Sequence, residues 1–461
     1  MSSIYGGILR GVILPIGDWV RGVPIGQVLD FLETSQWWTP AELRKLQNRK
    51  LAELVRTAYE TTGYYRRMMD AARLKPSDFL TVDDLAKLPL LTKKVIRDQY
   101  PAELINRTIP KRHLVTHRTG GSTGEPLFFS ISRQGRAFDR ASYYRFLRWC
   151  GGGRGETLFT VWGQLVVAES RFRFVDVLKR RLITRSRSMD AFRMTPETMT
   201  EFMSELTRKR ATILRGYTSA LVELSRFVEG RGCACPDLKA VATTAEQVLP
   251  EQRRLMERVF GVPVFDQYGC GETGGIAYEC PQHSGLHIAA EHCIVEIVDD
   301  EGNPLPPGRT GRVALTNLDN EATPFIRYLN GDEAALLTES CPCGRGLPLM
   351  SSVAGRTSDM IHGVNGNRAH GEFFTHLVHE LGWTERLGVR EFQVVQTHKD
   401  RLRFRVVSAS PPSKEEWARL TRQIKDYLGE MDVDCQEVEK IDRSRSGKLR
   451  FTVREWDPAG G

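Results

Sequence analysis

The chain has 461 residues, with 65 Lys and Arg against 57 Asp and Glu, a net charge of +8. That length excludes one small core and implies two or three domains, and 41% apolar with 26% charged residues excludes a disordered or fibrous chain. The positive balance suits nucleic acid, anionic lipid or a polyanionic small ligand, but the basic residues are scattered with no aromatic-interleaved stripe, so nucleic acid is the weaker reading.

From the N-terminus, the apolar run Ile8 to Val20 is interrupted by Arg10, Pro15 and Asp18. It is too short and broken to span a bilayer, and no small-residue cleavage site follows it. A reducing cytoplasm is the default location, with loose membrane contact by this segment left open. Between Thr39 and Met69 the residues Leu43, Leu46, Leu51, Leu54, Val55 and Ala58 recur at helical spacing, and Thr39-Pro40 with Glu42 marks a helix start. Short helices are expected at Asp83 to Lys87 and from Leu90 onward.

Next comes Thr119-Gly120-Gly121-Ser122-Thr123-Gly124-Glu125-Pro126, followed by the strand-like Leu127 to Ser130. Glycine reaches positive φ without a Cβ clash, so several amides of such a loop can turn into one concavity and bind an oxyanion, with Ser122 and Thr123 adding hydroxyl donors. It is not a Walker A loop, because the required lysine is absent. A turn without a ligand is the plainer reading of this stretch alone.

Strands then alternate with helices: Thr157 to Trp162, helix Glu197 to Arg210, strand Ala211 to Leu214, helix Ala220 to Glu229, strand Lys239 to Thr244, helix Pro250 to Phe260, strand Val262 to Phe265. Such alternation predicts an α/β fold with a mostly parallel sheet covered by helices and ligands at the strands' carboxyl ends. Cys293 to Leu318 reads as antiparallel β about the turn Asp300 to Asn303. Beyond Gly355-Arg356 a hairpin (Glu391 to Gln396, Arg401 to Val407), a helix (Lys414 to Leu428) and a last strand (Val433 to Val438) make a small, mobile α+β domain. The expected domains are 1–355, with a helical lead-in to about residue 110, and 356–461.

Four further stretches carry chemistry. Asp266-Gln267-Tyr268-Gly269-Cys270-Gly271-Glu272 follows a strand, where a tyrosine can lie on an aromatic base and a carboxylate can hold Mg²⁺ beside phosphates. Asp332 in Tyr328-Leu329-Asn330-Gly331-Asp332 suits two ribose hydroxyls, Arg356 at the boundary offers a second basic contact and a pivot, and Lys448 lies in a polar loop near the C-terminus. Read singly these are a junction, a turn, a boundary and a solvated lysine. In this order, together with Trp37-Trp38 and Thr244-Ala245-Glu246-Gln247, they resemble the adenylate-forming superfamily of acyl-CoA synthetases and adenylation domains over nearly the whole chain. The likeness is greatest to the phenylacetate–CoA ligase family and its capsular-polysaccharide-biosynthesis-protein branch.

That resemblance implies activation of a carboxylic acid by ATP and Mg²⁺, then transfer of the acyl group to coenzyme A. An amine or hydroxyl acceptor is the alternative. By matching positions, Ser122, Thr123 and Gly124 hold phosphates, the Ala245-Glu246 pair lies against the adenine, Tyr268 stacks on it, and Thr244, Asp266 and Gly269 also belong to the nucleotide site. Glu272 holds Mg²⁺, Asp332 the ribose, Arg356 the ribose or phosphate, and Lys448 the acyl carboxylate and α-phosphate. Thr123, Glu272 and Lys448 are thus the catalytic set. The sequence departs from the family at Leu127, where a basic or hydroxyl residue is usual after the proline, and at Ser358 in the hinge. The acyl pocket is expected between Tyr143 and Trp162 and around Tyr217 and Gly269 to Gly275. A homodimer is compatible with the sequence.

Nine cysteines in a chain this long make no disulfide scaffold, and Cys150, Cys233, Cys235, Cys270, Cys293 and Cys435 read as buried or incidental thiols. Cys280-Pro281-Gln282-His283, His287 and Cys341-Pro342-Cys343 are different: two thiolate-bearing turns can close a tetrahedral zinc site of three Cys and one His within a segment spanning 276–350. His283 has the commoner knuckle spacing, whereas the resemblance favours His287, with the zinc structural. A zinc-bearing nucleic-acid-binding protein is the competing class, and it leaves Tyr268, Glu272 and Lys448 unexplained.

Overall fold

In the computed structural model, described here over residues 9–118, 127–162, 187–191, 194–232, 237–353, 355–356, 361–369, 371–442 and 449–456, the chain divides into two compact units. One comprises Met1–Asn330 with Ala334–Ser352, the other Gly331–Glu333 with Val353–Gly461.

The large unit opens with helices α1 (Leu14–Arg21), α2 (Ile25–Ser35), α3 (Pro40–Thr61), α4 (Gly63–Ala71) and α5 (Lys93–Gln99). The periodic run beginning at Thr39 is two helices rather than one. Thr39 starts α3 in a reciprocal capping box with Glu42. Thr62 then turns extended (φ −123°, ψ 140°) and its hydroxyl caps α4 at the Tyr65 amide, a break that helical periodicity alone does not reveal.

Strands β1 (Val115–Arg118) and β2 (Phe128–Ile131) form an antiparallel pair, with Arg118 opposite Phe128. After α6 (Arg133–Trp149) the alternation begins: β3 (Leu158–Trp162), β4 (Arg187–Asp190), α7 (Pro196–Arg208), β5 (Ile213–Tyr217), α8 (Thr218–Arg231), β6 (Ala240–Thr244), α9 (Pro250–Phe260), β7 (Val264–Cys270), β8 (Gly274–Glu279) and β9 (Leu286–Ile288). With β13 (Leu349–Met350) these strands form an eight-stranded sheet ordered β13-β9-β8-β7-β6-β5-β3-β4, parallel from β4 through β7 and antiparallel beyond.

Strand alternation sorts the side chains to two faces. Phe159, Val161, Leu214, Val241 and Val264 bury against α7, α8 and α9. Ile213, Ala240, Ala242 and Phe265 bury against Phe146, Leu147 and Trp149 of α6.

Two strands differ from the sequence expectation. The one placed at Ala211 to Leu214 starts at Ile213 and runs to Tyr217, because Arg210 adopts a positive φ of 48° and holds the chain in a turn. The one placed at Val262 to Phe265 is β7, which continues to Cys270 because β8 folds back and pairs with it. Tyr268 and Gly269 therefore stand on a strand, not in a loop after one. Strands β10 (Cys293–Val298) and β11 (Gly311–Asn317) pair antiparallel, as the turn at Asp300 to Asn303 requires. Strand β12 (Tyr328–Ala334) carries the chain into the second unit.

In the small unit, Asp332 of β12 lies opposite Arg356 of β14 (Gly355–Arg356). The short strands β15 (Ile361–His362) and β16 (Arg368–Ala369) lead into helices α10 (Gly371–Glu380) and α11 (Trp383–Arg386). The hairpin β17 (Glu391–His398) and β18 (Arg401–Val407) is flanked by β19 (Asp432–Glu437) and β20 (Thr452–Arg454), in the order β19-β18-β17-β20. The final strand is thus β20, parallel to β17, rather than the expected one near Val433. Phe374, Leu377 and Val378 of α10 and Leu420, Ile424 and Leu428 of α12 (Lys414–Leu428) bury one face of this sheet.

Candidate active site

Strand β12 organises the first cluster. Alternate residues of a strand share a face, and Tyr328 and Asn330 both use that face for polar contact. Tyr328 donates its hydroxyl to Glu272 Oε1 at 2.7 Å, and Asn330 Nδ2 donates to Tyr268 Oη at 2.6 Å. All four residues are buried. Asn330 pins the Tyr268 phenol by its far end, which fixes the ring. Tyr328 satisfies one oxygen of Glu272, while Oε2 takes no hydrogen bond among the described residues. Two residues further along β12 stands Asp332, itself buried.

The turn between β7 and β8 is shaped by glycine. Gly274 has φ +79°, and a Cβ there would lie 2.3 Å from Asp139 Oδ1. A Cβ on Gly275 would meet Tyr278 Oη at 1.7 Å, and one on Gly269 would meet the Gly274 carbonyl oxygen at 2.7 Å. In that close approach the Gly275 amide donates to Asp139 Oδ1 at 3.0 Å. Behind the turn, Asn317 Nδ2 donates to the Thr273 carbonyl at 3.3 Å, and His292 lies between that carbonyl and Asp319, which Lys50 also engages at 2.7 Å. The segment carrying Glu272 is therefore held from both sides.

At the end of β6, Thr244 accepts from Gln267 Nε2 at 3.3 Å, and Ala245 takes a left-handed φ of 73°. Such a conformation is strained for a residue with a Cβ and persists only where the surroundings impose it. It turns Glu246 onto the start of α8, where the carboxylate accepts from the Ser219 amide at 2.7 Å and its hydroxyl at 3.1 Å. Glu246 thus caps a helix that has no N-cap side chain of its own, and its carboxylate is already engaged. Asp266 points into the sheet. Its Oδ1 accepts from Thr243 Oγ1 and from the Gln267 amide, each at 2.9 Å. Burial, reinforced by neighbouring Glu279, pushes its carboxyl up to about 7.

The second cluster lies in the same unit. One donor atom each from Cys280, His287, Cys341 and Cys343 falls within 4.8 Å of all the others. Cys280 Sγ and Cys341 Sγ are 3.6 Å apart, and Cys343 Sγ is 3.3 Å from His287 Nε2. A tetrahedral zinc with metal–sulfur bonds near 2.3 Å has an edge of about 3.8 Å, so the spacing and the soft donor set fit that ion. His287 Nδ1 lies 3.4 Å from the Leu347 carbonyl, which orients the ring with Nε2 toward the thiols. Burial pushes the Cys280 thiol up to about 12 and the His287 imidazole down to about 4. His283 is elsewhere: it sits in the turn before β9 at φ +50°, 3.1 Å from Glu279. Pairing of β9 with β13 sets Leu349 opposite His287, and β13 follows the Cys341-Cys343 turn, so topology decides between the two histidines.

Of the expected site residues, the structure brings Tyr268 and Glu272 to one face of β12 and sets Asp332 beside Arg356 in the ladder. Ser122, Thr123, Gly124, Ser358 and Lys448 lie outside the described residues, although the β1–β2 pair that carries the Gly-rich loop is present. Asn330 and Asp139 were not singled out from the sequence. Alternation from Tyr328 to Asp332 is a signal for Asn330. Asp139 gives none, because its contact is 136 residues away.

A helix-covered parallel sheet carrying a tyrosine pinned by Asn330 and a buried carboxylate is the setting, and the comparisons give the class: an adenylate-forming ligase. Residues 361–455 match the CapK C-terminal domain. The phenylacetate-coenzyme A ligase of Escherichia coli (strain K12) is 30% identical over 356 residues, 73% of this chain and 76% of that one. The enzyme of the same name from Aromatoleum evansii is 28% identical over 430 residues, covering 89% and 94%. The chain belongs to the phenylacetate–coenzyme A ligase family. Its fold is shared with a 2-hydroxyisobutyryl-CoA ligase solved in a postadenylation state, with a TM-score of 0.72, 20% identity and coverage of 92% and 91%.

Proposed function

We propose that this protein uses ATP to convert a carboxylic acid to an acyl-adenylate and then passes the acyl group to coenzyme A. The observation that carries the reading is the pair of contacts from β12, Asn330 to Tyr268 and Tyr328 to Glu272. They set an aromatic ring and a carboxylate on one wall beyond the parallel strands, the place where such sheets bind ligands.

A carboxylate is a poor electrophile at neutral pH. In the first step its oxygen attacks the α-phosphorus of ATP and pyrophosphate leaves; in the second the thiol of coenzyme A attacks the acyl carbon and AMP leaves. The first step gathers negative charge, and catalysis lies in holding partners and countering that charge where it develops. Tyr268, fixed by Asn330, would support the adenine. Glu272 would hold Mg²⁺, which neutralises phosphate charge when bound. Asp332 would bind the ribose with Arg356 beside it, the loop Thr119 to Pro126 would hold the phosphates, and Lys448 would counter the carboxylate and α-phosphate as they meet. Thr244 and Ala245 would border the adenine by their backbone, since the Glu246 carboxylate is engaged with α8.

Zinc held by Cys280, His287, Cys341 and Cys343 would be structural, because four protein ligands leave no position for a water. Seven cysteines among the described residues form no disulfide, which suits a reducing compartment. No described helix is long and apolar enough to cross a membrane.

The test is to incubate the purified protein with ATP, Mg²⁺, a panel of carboxylic acids and hydroxylamine, following pyrophosphate and hydroxamate. Acid-dependent release of both, with thioester replacing hydroxamate when coenzyme A is supplied, is the expected result. Release that ignores every acid would overturn it.

A further inference from the structure

Arg215 lies near the end of β5 on the face of the sheet that α6 covers, in register with Thr160 of β3 and Ala242 of β6. Its guanidinium carbon is 4.8 Å from the ring centre of Tyr143 and 4.6 Å from that of Trp162. Tyr217, at the end of the same strand, packs on Trp162 with centroids 4.8 Å apart. The only hydrogen bond Arg215 makes among the described residues runs from Nε to Gln267 Oε1, at 3.3 Å. It has no carboxylate partner there, and both terminal nitrogens are unbonded.

That is unusual for a half-buried arginine. Aromatic rings cover the faces of a guanidinium, but its N–H bonds lie in its plane and still require acceptors. Taking a charge partly out of water without a counter-charge is unfavourable, and buried charges are ordinarily paired. By contrast, Arg145 on the same side of the sheet is fully buried and is held by Glu291 at 2.7 Å. Beside Arg215 the Tyr143 hydroxyl is also buried, with no hydrogen-bond partner among the described residues. One aromatic-walled corner therefore holds, among the described residues, a guanidinium whose terminal nitrogens are unbonded and a hydroxyl without a partner.

Contacts lead from the Glu272 turn to this corner without a break. Gly275 leaves room for the Tyr278 hydroxyl, Tyr278 pairs in register with Gln267, and Gln267 meets Arg215. We propose that Arg215, framed by Tyr143 and Trp162, recognises a second anionic group at the far end of the acid, so that the substrate is a dicarboxylic acid. The aromatic walls take the body of the molecule, the guanidinium donates two parallel N–H bonds to the distal carboxylate, and the Tyr143 hydroxyl supplies a third donor. This inference rests on the carboxylate-activating reading above.

The test compares kcat/KM for pyrophosphate release on matched pairs, each a dicarboxylic acid, aryl or aliphatic, and its analogue with the distal carboxylate replaced by methyl. The full-length protein is used. Wild type should favour the best dicarboxylate over its analogue by at least ~10-fold, and Arg215→Gln should lower that ratio by ~100-fold, as loss of one partner of a desolvated charge pair commonly does. Tyr143→Phe, nearly isosteric, should narrow the ratio several-fold. Preference for the methyl analogues, or a ratio unchanged in Arg215→Gln, would overturn the assignment. If Arg215→Gln melts early, the wild-type preference and Tyr143→Phe decide the matter. An equal fall for both members of each pair would place Arg215 on the reacting carboxylate or in the scaffold, and would also overturn it. Failure to turn over any acid defeats the carboxylate-activating reading and this proposal together, whereas turnover of monoacids alone defeats only the proposal.

Discussion

Two carboxylates six residues apart on β7 and the turn after it are set to opposite tasks by what surrounds them. Glu272 has one oxygen on the Tyr328 hydroxyl and the other without a hydrogen bond among the described residues, and is the carboxylate proposed to hold Mg²⁺. Glu272→Gln keeps the shape and removes the charge, so Mg²⁺-ATP-dependent pyrophosphate release should fall by ~100-fold or more at an unchanged melting temperature. Wild-type rates in folded protein would remove Glu272 from the site. Asp266 is sealed in the sheet beside Glu279, which Arg253 and His283 also face. Its carboxyl is raised to about 7, so the unfolded chain, with an ordinary aspartate near 4, releases the proton first as pH rises. The stability contributed by the protonated form is full below about pH 4 and is lost as pH climbs through 7, on the order of 4 kcal/mol across that window. Urea unfolding at pH 4.5, 6 and 7.5 should show that decline, with a shallower one in Asp266→Asn. Parallel slopes for the two proteins would contradict it.

At the scale of elements, legibility followed the range of the interactions. Helix Pro250–Phe260 was readable from its own residues, since proline starts it and Gly261 ends it at φ +68°. Strand β7 reads short because Gly269 within it and Gly271 just after it look like loop, and only the returning β8 extends it to Cys270. The metal cluster shows the same limit. The two cysteine turns and both histidines were visible, but His283 and His287 could be separated only by the pairing of β9 with β13. Since the cluster ties β8 and β9 to the segment before β13, its metal should act on stability. One zinc per chain is expected by elemental analysis, and Cys343→Ser should lower the melting temperature more than it lowers the rate of the protein that survives. No stoichiometric zinc after mild purification would end this reading. The cap on α8 is a smaller case: Glu246→Ala should cost about 1 kcal/mol in denaturant titration, and no change would mean that Ser219 is satisfied otherwise.

At the scale of the whole molecule, the residues of the proposed reading fall in both units: Tyr268 and Glu272 in the large one, Asp332 and Arg356 in the small one, as Lys448 does by sequence. A lysine is a point charge on a flexible stem, suited to following a phosphate as bonds change. Lys448→Ala should raise the barrier to acyl-adenylate formation by about 3–4 kcal/mol, yet leave transfer from a synthetic acyl-adenylate to coenzyme A nearly untouched. Pyrophosphate release and thioester formation measure the halves separately. Equal loss in both would point to a folding defect, and no loss in either would return the lysine to the surface. The role proposed for it was legible only through the resemblance, because nothing local in the sequence distinguishes Lys448 from a solvated side chain.

The crowding around Gly269, Gly274 and Gly275 bears on how variants of this chain should be interpreted. In a saturation screen scored by growth or turnover, nearly every substitution at these three positions should register as null, since an added Cβ would meet backbone or side-chain atoms within 2.7 Å at each. The screen would rank them level with Glu272, although none offers a side chain to a ligand. Intolerance in this turn therefore measures space rather than chemistry, and a map of the reacting groups is better drawn from isosteric exchanges such as Glu to Gln or Tyr to Phe.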